Sequence, residues 1–242
     1  YAVWQRRWLD SVQADEAKAY WRQALAGWQA LEMPLDFVRP ARFDHRGANH
    51  VIALPEALVV QAAQFARQQG VTPFALYLAA FNLLLGYFSG QQDILVGTPV
   101  ANRPAAETRS AIGFFVNTLP LRSQIDDAAS LNDYVHRVFD GVLQAQRYQN
   151  LPLDQLIELL QVPRDLSRHP LFQALFALEE AGAAPAWLAP QDLLAHYLAA
   201  KFDLTLSIQS APQGGRAIFN YATALFAPAT LALLGEYYLT IL

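Results

Sequence analysis

Asp93-Ile94-Leu95-Val96-Gly97 is a β-branched apolar run of buried-strand length, and it closely follows Thr72-Pro73 to Ser89-Gly90, an apolar stretch with a boundary signal at each end. Proline suits the first helical turn, and glycine just past the last turn closes it. The longest apolar run, Val71 to Phe88, is interrupted by Asn82 and Gly86 and is slightly short for a membrane span, so a buried helix is expected there. A buried helix feeding a buried strand is the unit of a layered α/β domain.

The pattern extends outward on both sides. Upstream, Asp15 to Leu25 has helical spacing with Asp15 as a cap, and Met33 to Pro40 is a proline-marked connector. Val51 to Leu54 then predicts a short strand, and Pro55 opens a helix that Gly70 ends. Downstream, Phe114 to Leu121 is extended, Leu131 to Gln149 is a helix, and a shorter helix follows Pro152 to about Gln161. Phe172 to Leu178, Phe202 to Gln209 and Ala217 to Tyr221 predict strands, the last pair joined by a Pro212-Gln213-Gly214-Gly215 turn. In the second of these, Leu204, Leu206 and Ile208 alternate with Thr205, Ser207 and Gln209, giving a dry face and a wetter one. Pro228 to Leu242 is an amphipathic helix, and Ala181 to Pro190 is the candidate flexible loop. The expectation is one α/β unit over residues 1–242, a layered mixed sheet with flanking helices.

Composition narrows the function. The chain has 242 residues, 54% hydrophobic and 16% charged, an apolar excess that implies either a large interior or apolar surface meant for a partner. A net charge of −4 argues against nucleic acid. The absence of cysteine excludes disulfides, thiolate metal sites and a cysteine nucleophile, and it fits a cytoplasmic setting. Tyr1-Ala2-Val3-Trp4-Gln5 has no charged-then-apolar leader and is expected to open a fragment or a processed piece.

No familiar catalytic constellation is present. The five histidines (His45, His50, His136, His169 and His196) are widely spaced and lack metal-ligand spacing. There is no G-x-S-x-G elbow, phosphate-binding loop or G-x-G-x-x-G. What stands out is a series of strings that a packed core does not require. Ser89-Gly90-Gln91-Gln92-Asp93-Ile94 leads to Val96-Gly97-Thr98-Pro99-Val100-Ala101-Asn102-Arg103-Pro104, then to Ile112-Gly113-Phe114-Phe115-Val116-Asn117-Thr118-Leu119-Pro120-Leu121-Arg122. Arg164-Asp165-Leu166-Ser167-Arg168-His169-Pro170-Leu171-Phe172-Gln173 and Lys201-Phe202-Asp203-Leu204-Thr205-Leu206 follow.

In order and spacing these strings resemble the C-terminal motifs of condensation domains from non-ribosomal peptide synthetases. Tyr1-Ala2-Val3-Trp4-Gln5 resembles the motif after the family's active-site loop, and Tyr148-Gln149-Asn150-Leu151-Pro152-Leu153-Asp154 resembles its His-Gln-Asp-x-Pro-Phe-Glu motif, with Tyr148 in place of His and Asp154 in place of Glu. The resemblance implies the C-terminal half of such a domain, a lobe of chloramphenicol-acetyltransferase-like fold whose N-terminal partner lobe is absent. In that family two carrier proteins bring thioester substrates on phosphopantetheine arms into a tunnel between the lobes, where an acceptor amine attacks the donor thioester. The His-His-x-x-x-Asp-Gly motif that serves this step is not in the chain, and an amine in aminolysis needs such a positioned imidazole. No catalytic residue, metal ligand or intrinsic cofactor is therefore assigned, and the chain alone is expected to be inactive.

The resemblance further implies substrate-facing positions at Phe115, Asn117 and Thr118, with Ser207 on the wetter face of its strand. For Asn117 two roles stay open, orienting substrate or the arm and tying two backbone segments together. Structural roles fall to Gly113, to Arg122 (pairing with an acid at the lobe edge), to Gln149, and to the loop Arg164, Asp165, Ser167, Arg168 and His169, which charge-assisted hydrogen bonds would lock. Thr98 to Arg103 resembles a loop forming the tunnel floor, and the stretch before Lys201 is expected to reach across to the other lobe. Implied partners are the N-terminal lobe, donor and acceptor carrier proteins and an adjacent adenylation domain, with neither nucleic acid nor membrane. The Gly-Phe-Phe-Val-Asn-Thr string looks like an amide-forming subtype rather than an epimerase. Two alternatives remain: a non-catalytic carrier-protein-binding lobe, and an acyltransferase lobe using coenzyme A.

Overall fold

The computed structural model describes residues 1–103, 106–108, 110–180, 198–211 and 213–242. Helices α1 (Ala2–Leu9) and α2 (Val12–Ala24) lead through the connector to β1 (Gly47–Leu54), α3 (Glu56–Gln69) and α4 (Pro73–Ser89). Then come β2 (Asp93–Val100), β3 (Asn117–Gln124), α5 (Leu131–Arg147), α6 (Leu153–Leu159), β4 (Ala174–Glu180), β5 (Leu204–Ala211), β6 (Gly214–Ala222) and α7 (Pro228–Ile241). The layered α/β expectation holds: six strands form one mixed sheet in the order β1-β6-β5-β4-β2-β3. β4 runs parallel to both of its neighbours, β2 and β5, while the other pairs are antiparallel.

Local chemistry sets the helix that anchors the core. Thr72 Oγ1 accepts from the Ala75 N–H at 3.3 Å, Pro73 occupies the first turn, and Gly90 takes a left-handed φ of 71° to stop the chain. Leu78, Phe81, Leu84 and Leu85 of α4 are all buried, so the run that resembles a membrane span in composition is a core helix. No single described helix is long and apolar enough to cross a membrane. α4 packs Phe74 and Phe81 against Phe176 of β4, and α7 sits over His50 and Ile52 of β1. Leu204, Leu206, Ile208, Ala217 and Phe219 are buried beneath this helical layer. On the opposite face Thr205, Ser207, Gln209 and Val51 remain partly or largely exposed among the described residues.

Several boundaries differ from expectation, each for a local reason. α2 is capped by Ser11, whose Oγ accepts from Ala14 N, whereas Asp15 lies in the first turn and pairs with Lys18 at 3.0 Å. α1 adds a helix where none was expected; it buries no residue fully, with Trp8 and Leu9 packed at the edge of the core. The β3 ladder begins at Asn117 rather than Phe114, because Asn117 faces Val100, the last residue of β2. β2 and β4 pair only at Val96–Ala174 and Gly97–Leu175. One residue further, the Thr98 hydroxyl donates to the Phe176 carbonyl at 2.9 Å and bridges the strands where the ladder stops. The loop at Ala181 to Pro190, most of the stretch before Lys201, Pro104 and Pro212 lie outside the described residues.

Candidate functional site

The strings of the β2–β3 connection meet at one cluster. Asn102 adopts a left-handed φ of 48° just past β2, a conformation asparagine tolerates better than most residues. Its amide donates to the Tyr1 hydroxyl at 2.9 Å. Phe115 is buried, with Tyr1 edge-on at 4.9 Å and the Arg103 guanidinium over its ring at 4.3 Å. Arg103 also donates to the carbonyls of Thr108 and Ala111, which holds the loop over the ring. Burial pushes the Tyr1 phenol up from its ordinary pKa, with the hydrogen bond from Asn102 opposing, so the hydroxyl stays protonated at neutral pH. Gly113 is required here, since a Cβ would come within 2.9 Å of the Phe115 ring. Phe115 is thus packed between the Tyr1 ring and the Arg103 guanidinium. Its neighbours Ile112, Phe114 and Val116 are exposed to solvent, as in part is Trp4, which stacks on Tyr1 at 5.5 Å.

Of the two roles left open for Asn117, its hydrogen bonds support the tie between backbone segments. Both amide hydrogens are spent, on the carbonyls of Gln149 at 2.8 Å and Leu151 at 2.9 Å, and Oδ1 accepts from Leu153 N at 3.1 Å. No amide hydrogen is left over for another partner. Gln149 contributes its main-chain carbonyl to the tie. Tyr148, in the position of the family histidine, stacks on Tyr20 at 4.3 Å and accepts from Trp21 Nε1 through its carbonyl. Asp154 lies in the first turn of α6, where a carboxylate suits the helix N-terminus.

The four expected substrate positions do not converge. Thr118 is half-buried on β3 opposite Pro99, whereas Ser207 lies on the open face of β5, paired with Ala177 and Ile218. Two strands intervene, so at least about 14 Å separates them at ordinary strand spacing.

The structural motif residues are clearer. Arg122 binds Asp93 through two parallel hydrogen bonds of 2.8 Å and donates to the carbonyls of Ala24 and Ala26, fastening β2, β3 and the end of α2. In the 164–169 loop, Asp165 accepts from the Ser167 hydroxyl and N–H, and Arg168 pairs with Asp165 and with Glu32 of the connector. Arg164 is exposed and makes no ion pair among the described residues, so its place in the lock is corrected. The second arginine is Arg39, which meets the buried Asp203 through two hydrogen bonds and also donates to the Ser167 carbonyl. Nothing local in sequence signals that pair. The ring of His169 stacks on Phe172 at 4.4 Å, and burial pushes it down to about 4, against a backbone hydrogen bond with Phe172. It is neutral at physiological pH. No group of three metal-ligating side chains occurs among the described residues.

This arrangement of strings, sheet and helices has known counterparts. The family model for the condensation domain matches residues 1–242. The chain belongs to the condensation-domain family. It is 39% identical over 240 residues to the malpinin synthetase of Mortierella alpina, covering 96% of this chain and 3% of that protein. It is 37% identical over 241 residues to the phosphinothricin tripeptide synthetase PhsC of Streptomyces viridochromogenes, covering 98% of this chain and 22% of that protein. This condensation-domain chain therefore spans a small part of the curated relatives it matches. Among solved structures, the X-domain from teicoplanin biosynthesis superposes with a TM-score of 0.88 at 25% identity, over 100% of this chain and 57% of that one. A four-domain nonribosomal peptide synthetase bound to AMP and glycine superposes with a TM-score of 0.85 at 24% identity, over 96% of this chain and 19% of that one.

Proposed function

We propose that the chain is the C-terminal lobe of an amide-forming condensation domain of the cytoplasm, and that it works only when joined to an N-terminal lobe. The observation that carries this reading is the exposure of four large apolar residues, Ile112, Phe114, Val116 and Trp4, close in sequence or by ring contact to the buried Phe115 cluster. Apolar side chains standing in water on a well-packed unit call for a covering surface. The share of the X-domain that is matched, 57%, fits a lobe of about half a domain.

In this reading the lobe holds one wall of a tunnel and supplies no group to proton transfer. Asn117 fixes the 149–153 turn against β3, and Asn102 and Arg103 hold the loop over Phe115, so the wall is stiff before substrate arrives. Carrier proteins deliver donor and acceptor on phosphopantetheine arms, and the neighbouring lobe supplies the imidazole. An adenylation domain of the same synthetase stands beside it.

Reading the coding sequence upstream of Tyr1 is the first test. An in-frame His-His-x-x-x-Asp-Gly run supports the reading, and a stop codon directly followed by a start sinks it in favour of a non-catalytic carrier-binding lobe. The decisive assay joins the chain to such a lobe and measures amide formation between carrier-bound substrates. Product is expected from the joined protein and none from the 242-residue chain; equal product from both would overturn the proposal.

A further inference from the structure

At the C-terminal ends of α4 and α7, Tyr87, Phe88 and Tyr237 pack at the corners of a nearly equilateral triangle, with ring centroids 5.5, 5.6 and 5.5 Å apart. The cluster lies at the surface, and Tyr87 is 69% exposed. The two tyrosines flank a groove of about 470 Å³ whose other walls include Leu83, Ile125 and Ile241; Ile125 packs where a Gly86 side chain would stand, and Gly90 leaves its own part open. Among the described residues its one charged lining group is Asp127, which accepts from Gln92 Nε2 at 3.0 Å through Oδ2 alone.

We propose that this groove is a docking site for an arginine-bearing segment of a neighbouring polypeptide in the synthetase. Aromatic faces carry negative potential, and a carboxylate in the same groove adds to it, so the complement is a cation. Apolar walls favour a weakly hydrated planar guanidinium over a strongly hydrated ammonium. The much greater length of the relatives, of which this chain covers 3% and 22%, leaves ample polypeptide to supply one. The groove is remote from the Phe115 cluster. Gln91 and Gln92 precede β2 and Asn102 follows it, and its eight residues put the two regions about 26 Å apart. The inference therefore stands whether or not the catalytic reading does.

The probe is N-acetyl-arginine amide, titrated into the ¹⁵N-labelled 242-residue chain while amide shifts are followed. Saturable shifts are expected at Gly86, Gly90 and Gln92, with weaker binding of N-acetyl-lysine amide. Tyr87→Ser and Asp127→Asn should each weaken binding about fivefold. Both residues are exposed, so neither change endangers the fold. Absence of a saturable shift, or unchanged affinity in Tyr87→Ser, would overturn the proposal. So would the same shifts appearing on raising protein concentration alone, which would assign the groove to a second copy of the chain.

Discussion

The Asn117 amide donates to the Leu151 carbonyl at 2.9 Å across 34 residues of chain, and this bond fixes where the turn after α5 lies against β3. The same side chain holds Gln149 and Leu153, so one residue satisfies three main-chain groups. Asn117→Ala should therefore cost about 3 kcal/mol, close to one per hydrogen bond lost. Asn117→Asp should be worse despite its equal size, because a carboxylate would face two carbonyls with no donor. Denaturant unfolding checks the order. A stability near wild type in both, with only substrate KM altered, would return Asn117 to the substrate.

The ion pair of Arg39 and Asp203 has a different signature. Its side chains are 12% and 4% exposed, and hydrogen bonds to Asp203 push the arginine pKa up. Removing one partner strands a buried charge, so Asp203→Leu should cost about 4 kcal/mol. The double variant with Arg39→Met should regain much of that loss, since apolar replacement of both partners leaves no charge buried. A double variant no more stable than Asp203→Leu would show that the pair is retained for packing alone.

How much of this could be read beforehand follows from distance along the chain. The α4 helix was legible because Thr72, Pro73 and Gly90 are local signals, and β2 because its apolar run is continuous. The family strings marked the Asn102–Arg103 and Asn117 positions. They left Asn117 between two roles because its partners lie 32 to 36 residues downstream. Arg39 and Asp203 are 164 residues apart and meet only once the sheet has formed. The strand order was likewise out of reach, since β1 pairs with β6, the last strand. The Tyr87–Tyr237 stack joins two helices 150 residues apart in sequence, one read as a buried apolar helix and the other as amphipathic.

Gly97 shows a constraint that its neighbours conceal. A Cβ there would lie 2.1 Å from the Phe172 ring, which is fully buried and cannot swing into solvent. Gly97→Ala should destabilise by about 3 kcal/mol through overpacking. Adding Phe172→Leu should return part of the loss by making room. If Gly97→Ala unfolds at the wild-type midpoint, the ring does not pack as described.

His169 gives the fold a specific sensitivity to acid. Burial lowers its pKa from 6.5 to about 4, with Phe172 and Phe202 packed beside the ring. Above pH 6.5 both folded and unfolded chains hold it neutral, and it contributes no pH dependence. Between 6.5 and about 4 the unfolded chain takes up a proton that the fold refuses, so stability falls with pH across that window. The loss should reach about 3 kcal/mol at the lower end. Asp44, Asp133 and Asp165 have pKa values lowered from 3.8, so their contributions disappear only as pH falls below that value. His169→Asn should be less stable at neutral pH, having lost the ring stack, yet nearly flat from pH 6.5 to 4. Urea midpoints measured across that range decide it. A variant that loses stability as steeply as the wild type would place the acid sensitivity at another group.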